Sequence, residues 1–357
     1  MGKRRGTRDL MQVGDILTPE LLKTIKGPSA IDKRLIETAA AQVERPDDPR
    51  KLLYQHTVFC QTALPYRNEG DETRIWERSN GDVHLMVKAG HAMHPQERRL
   101  VPFGLPFGPK CRLVLMYINQ LALLTRSPNV ECEDSLTAFV RRVMKLDPKG
   151  RNIRMVKDQL ARLACADITL GTVDDTPTGT NASTEQVHIV RHFNVWYPKD
   201  ERQRVLWPST IDLSLDYFES LMSHAVPLDE AHIAALSHSG LALDIYAWLA
   251  QRLHRIPANK PAFISWAALH GQFGQGYTGD QAVKKFRSVF RVALREVLSV
   301  YKAARIDDEE RGRPRLSYVQ DSRSVKAVWR EKPATGLTLH NSPSPVPKRL
   351  QIIGGKA

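Results

Sequence analysis

Residues Gly274–Val297 read GQGYTGDQAVKKFRSVFRVALREV, and two folds compete for them. The first six residues fit G-x-G-x-x-G, a phosphate-cradling loop that should follow a strand inside a parallel βαβ unit. The segment before them, SWAALHGQF (265–273), reads as a helix instead. Gly274, Gly276 and Gly279 are therefore expected to end one helix and turn the chain into the next, without holding a nucleotide.

The helix that follows has two unlike faces. Residues three, four and seven apart share a face, which groups Phe286, Val289, Phe290, Ala293, Val297 and Val300 into one apolar stripe. Lys284, Arg287, Arg291, Arg295 and Lys302 fall opposite, with Gln281 and Ser288 at the margin, and Glu296 is the only acid between Gln281 and Lys302. A solvated helix face normally mixes signs, because opposite charges four residues apart stabilise each other. Here Arg287, Arg291 and Arg295 repeat at that spacing and repel. A bound polyanion turns this cost into a gain, so the phosphate- or groove-binding reading is preferred to a merely basic solvated face.

Outward from this helix the element order is informative. LALDIYAWLAQRLHR reads as an apolar helix and AFIS as a short strand; then come helix, turn and the long helix, and KAARIDD and RPRLSYVQ form a hairpin around EERG. The same order occurs about 130 residues earlier in the chain. KCRLVLMYINQLALL is an apolar helix, SLTAFVRRVMKL a helix capped by Ser135, and DPKG a turn into RNIRMVKDQLARLA. ITLGTV and QVHIVRHFNVWY follow as strands separated by the loop DDTPTGTNASTE. Earlier still, VFCQTALPY and TRIWERSNGDVHLMV read as strands, the second with a hairpin signal at Asn80-Gly81.

A helix-turn-helix followed by a hairpin is the winged-helix plan. The expected fold is α+β: two tandem winged-helix domains with flexible N- and C-terminal tails. The boundaries are drawn at 1–50 for a basic, partly helical or disordered extension, 51–205 and 206–328 for the two domains, and 329–357 for the tail. Helices around Thr18–Lys26 and Ile31–Val43 are expected within the extension.

A recognition helix puts its N-terminal part into the major groove, which makes Gln281, Lys284 and Ser288 candidates for base edges. Lys285, Arg287, Arg291 and Arg295 could supply base contacts or phosphate clamps. Arg311, Arg313 and Arg315 alternate at strand spacing and so face one way, within reach of adjacent phosphates. In the first unit Arg151, Arg154 and Arg162 lie opposite the apolar Ile153, Val156, Leu160 and Leu163, with Asp158 among them. That helix is a weaker DNA candidate, against a solvated face or a protein interface.

Composition agrees with a polyanion partner. The 357 residues carry a formal net charge of +13, with a pI near 9.6, a balance that points to nucleic acid or an anionic membrane surface. At 42% hydrophobic residues the chain can bury a sizeable core. No apolar run is long enough to cross a bilayer, and the basic start MGKRRGTRDLMQV has no apolar segment behind it, so a cytoplasmic location is expected. Cys60, Cys111, Cys132 and Cys165 form no C-x-x-C pair and read as ordinary thiols.

Catalytic readings find little support. GLPFGPK (104–110) has the wrong spacing for a Walker A loop. His91 and His94 lack a third metal ligand at a characteristic spacing. His188 and His192 are spaced wrongly for the histidine pair of a nickase. Asp174-Asp175 and Asp307-Asp308-Glu309-Glu310 sit near wing tips, where solvation explains them. No catalytic residue, metal or cofactor is expected.

LPYRNEGDETRIWERSNGDVHLMVKAG, LVPFGLPFGPKCRLVLMYINQLAL, SLTAFVRRVM and the helix-turn-helix ending in KKFRSVFRVALREVL together resemble the RepA-type plasmid replication initiators, over about residues 55–325. The resemblance implies two winged-helix domains binding direct repeats (iterons) of double-stranded origin DNA and distorting adjacent AT-rich DNA. It also implies contacts with host replication proteins (initiator and helicase) and a monomer–homodimer switch. No membrane partner is expected. A winged-helix repressor is the alternative, and a DNA-processing nickase a more distant one.

Overall fold

The computed structural model describes residues 51–81, 83–94, 97–131, 133–176, 179–193, 210–253, 255–256, 262–274, 276–301, 304–308 and 314–318. The N-terminal extension, the C-terminal tail, Cys132, Lys302, Arg311 and Arg313 lie outside them.

The chain begins with strand β1 (Leu52–His56) and helix α1 (Thr57–Gln61). The sequence reading made this stretch a strand through VFCQ. His56 stops it, because its Nδ1 accepts from the backbone N–H of Val58 (3.3 Å) and caps a helix there. A short run buried all round has no face from which its period can be read.

Strands β2 (Ile75–Asn80) and β3 (Val83–Lys88) form the expected hairpin. Asn80 pairs with Val83, and Gly81 just after the first strand adopts φ 58°, the left-handed conformation that a tight hairpin turn needs. A second hairpin, β4 (His91–His94) with β5 (Arg99–Pro102), leads into helix α2 (Gly108–Thr125).

Helix α2 is buried along most of its length, so its polar side chains must be paired inside the protein. Arg112 meets both carboxylate oxygens of Asp244 (2.6 and 2.7 Å) and donates to the carbonyls of Leu64, Pro65 and Gly108. Burial works against its charge, and the facing Asp244 carboxylate more than offsets this, so the guanidinium stays ionised. Asn119 donates to the Tyr54 carbonyl and accepts from the Tyr217 hydroxyl, and Gln120 donates to the Leu52 carbonyl.

After β6 (Asn129–Glu131) come α3 (Glu133–Arg142) and α4 (Gly150–Cys165). Helix α3 starts two residues before Ser135, the cap expected from sequence. Strands β7 (Asp167–Thr176) and β8 (Gly179–His188) pair from Asp167↔His188 to Thr176↔Gly179, so the expected loop DDTPTGTNASTE is mostly strand. The order of this sheet is β2-β3-β7-β8. Strand β3 accompanies β7 only as far as Thr172, and the rest of the hairpin continues as a two-stranded ribbon.

Strand β9 (Val190–Phe193) pairs with β10 (Thr210–Leu213), which also pairs with β6. Next come α5 (Leu215–His224), β11 (Ala225–Asp229), α6 (Glu230–Leu236) and α7 (Gly240–Leu253). Strand β12 (Ala262–Phe263), α8 (Trp266–Phe273), α9 (Ala282–Val300), β13 (Ala304–Asp308) and β14 (Pro314–Tyr318) complete the described chain. The last three strands form a sheet in the order β12-β14-β13.

The helix–helix–hairpin order thus occurs twice in an α+β fold. The expected boundary between residues 205 and 206 is crossed by two sheets. Strand β10, beyond it, pairs with β6 and β9, while β1 pairs with β11 from Leu52↔Asp229 to His56↔Ala225. One buried cluster runs from Leu53 to Ala304 and includes residues of both units.

Candidate nucleic-acid interface

Ser265 opens α8, its Oγ accepting from the N–H of Ala268 (3.1 Å), and Gly274 closes it. A Cβ at Gly274 would lie 2.3 Å from Cδ2 of His270, so only glycine fits. Gly276 (φ 75°) and Gly279 (φ 81°) then take left-handed conformations. His270 Nε2 meets the Tyr277 carbonyl (3.0 Å) and the Ala282 N–H donates to that of Gly279 (2.9 Å). The glycines make a turn between two helices.

The inner face of α9 carries Ala282, Phe286, Phe290, Ala293, Val297 and Val300. Phe290 packs against Trp266, Phe273 and Phe286 with centroids 5.3–5.8 Å apart. Val289 is a correction to the expected stripe. It is exposed, because the elements packed against α9 cover a face centred on Phe286, Phe290 and Val297.

Gln281, Lys284, Lys285, Ser288 and Arg295 are exposed on the outer side of α9, and Arg287 and Arg291 are half-buried along one flank. The two flanking guanidiniums lie over the indole of Trp266, at 5.2 and 5.5 Å from the ring centroid. Attraction to the ring's π face offsets part of their mutual repulsion and fixes where they point. Arg295 donates from Nε to the Arg291 carbonyl (3.3 Å). Glu296 is turned to His238, with Oε2 and Nε2 3.3 Å apart. The acid is therefore engaged beside the cationic surface.

Sequence reasoning missed Trp266, which sits on a different helix from the arginines it orders. The available signal was an aromatic residue directly after the Ser265 cap.

In the first unit Arg151 and Arg154 are exposed on α4. Arg162 is committed elsewhere: its side chain is 13% exposed, Nε pairs with Asp158 (2.9 Å), and Nη1 donates to the Leu105 carbonyl. It also lies over the Phe107 ring, so it anchors the preceding loop to α4. Arg315 lies on β14 opposite Asp307, and Arg311 and Arg313 lie outside the described residues.

Burial raises the pKa of the Cys111 thiol to about 12 and that of Cys165 to about 11. Among the described residues no group of three His, Cys, Asp or Glu could hold a metal, and no helix is long and apolar enough to cross a membrane.

Residues 105–268 match the family model described as plasmid encoded RepA protein. The matched segment runs from the loop before α2 into α8 and ends before α9. Two similar solved structures are crystal structures of domains 2 and 3 of RctB. One is 10% identical, with a TM-score of 0.45, covering 76% of this chain and 99% of that one. The other is 8% identical, with a TM-score of 0.44, covering 73% and 96%. No curated protein sequence matches the chain.

Proposed function

We propose that this chain, whose residues 105–268 match the family model described as plasmid encoded RepA protein, is a plasmid replication initiator that grips duplex origin DNA through α9. The observation that carries the reading is the outer surface of that helix. Lys284, Lys285 and Arg295 stand exposed on it, and Trp266 aligns Arg287 and Arg291 along its flank. Arg151 and Arg154 on α4 form a second, smaller cationic surface. Two reading helices on one chain raise each other's effective concentration on neighbouring grooves, which suits direct repeats. Multiple phosphate contacts would help offset the cost of distorting adjacent AT-rich DNA, and host replication proteins would then be recruited to the opened segment.

Lys284→Ala and Arg291→Ala test the duplex contact. Each variant is expected to fold normally and bind repeat-containing duplex more weakly. Where the lost contact is to phosphate, the slope of log affinity against log salt shallows by about 0.9. An unchanged affinity and slope in both places the interface elsewhere. Initiation is tested separately, with a plasmid carrying the gene and its repeats: equal replication after deletion of the gene leaves a DNA-binding repressor.

A further inference from the structure

We infer that Val289 and Val292 are specificity residues that read thymine, their side chains meeting C5-methyl groups in the major groove; the inference rests on the duplex-binding reading of α9. Val289 and Val292 are 42% and 47% exposed, although six other apolar residues and Ser299 complete the buried face of the helix. Branched valines are poorer helix formers than lysine, arginine or alanine, so neither packing nor helix stability accounts for them there.

Their position is specific. Lys285, Ser288, Val289 and Val292 fall at i, i+3, i+4 and i+7 and share one strip of the helix. Lys284, Ser288, Arg291 and Arg295 share the neighbouring strip. The outer surface thus sets a strip that is apolar at Val289 and Val292, with Lys285 at its N-terminal end, beside a cationic one, with Ser288 between them. A second copy of the same surface would set lysines and arginines against one another. A duplex presents phosphates to the cationic strip and, at thymine, a methyl group to the apolar one, which is the contact an aliphatic side chain makes in the major groove.

The experiment selects a random-sequence duplex pool with the full chain, then remakes the recovered duplex with deoxyuridine replacing each thymine in turn. That change removes only the C5-methyl group. The wild type is expected to bind about fourfold more weakly per contacted methyl. Val289→Ala and Val292→Ala are expected to melt like the wild type, bind the thymine duplex more weakly, and lose the thymine–uracil difference at the position each contacts. A wild type indifferent to every replacement overturns the inference, as do variants that keep the full ratio at every position. In both cases a weakened Lys284→Ala variant leaves the duplex reading intact. Recovery of no duplex overturns both.

Discussion

His56 is 2% exposed and caps α1 through Nδ1, while its Nε2 faces the Ser220 hydroxyl at 3.0 Å. Burial, and then the nearby His224, lower its pKa to about 3. An unfolded histidine titrates near 6.5. Between these values the unfolded chain binds a proton that the folded chain refuses, so this contribution is complete above about pH 6.5 and is lost as pH falls toward 3. The expected loss is about 2 kcal/mol by pH 5, from 1.36 kcal/mol per unit for one proton. Thermal melts at stepped pH should show it, and His56→Asn, which keeps a cap acceptor without the titration, should flatten the curve between pH 7 and 5.

Among the elements, α8 is the one whose sequence understates its role. It is short, yet its first residue aligns two arginines of the next helix. Trp266→Leu should weaken duplex binding by about fivefold to thirtyfold, from loss of two cation–π contacts worth about 0.5–1 kcal/mol each. Trp266→Phe should lie between it and the wild type. The indole Nε1 has no hydrogen-bond partner among the described residues, so the phenylalanine variant sacrifices the ring's size and quadrupole but no such bond. Titrations on protein shown by circular dichroism to be folded separate this from a loss of stability. Long elements were readable for two reasons: α4 and α9 repeat an apolar face, whereas α2 and α7 are buried nearly all round and showed themselves as apolar runs too long for a strand. The distal part of the β7–β8 hairpin was not, because past Thr172 no third strand among the described residues pairs with it, and a two-stranded ribbon imposes little alternation on its sequence. Val289 fails for a related reason. Its spacing admits it to the stripe, but neighbours distant in sequence decide which part of a stripe is covered. The cations of α9 were legible one by one; the indole that orders two of them required the fold.

At the scale of the molecule, the two helix-turn-helix units are not independent pieces. Strand β1 pairs with β11, Gln251 bonds to Thr57, Gln272 bonds to the Gln61 carbonyl, and Arg112 of α2 meets Asp244 of α7. A fragment of residues 206–328 would leave Asp244 buried without its cation and β11 without its partner strand. Removing one member of a buried ion pair costs about 3–5 kcal/mol, comparable with the total stability of a small domain. That fragment is expected to be unfolded by circular dichroism, whereas the chain from residue 51 to 328 should melt cooperatively.

The Arg112–Asp244 contact also turns the molecule into a fixed gauge. With α4 and α9 set on one continuous core, the distance and phase between them are properties of the protein, not of a pliable tether. If both helices touch one duplex, inserting about 5 bp between their contacts puts the second groove on the far side of the DNA, and inserting a full turn of about 10 bp restores the face at the wrong distance. Both insertions should abolish the joint grip, leaving only the affinity of α9 alone. Repeats of a single length would then be the only ones this protein can measure.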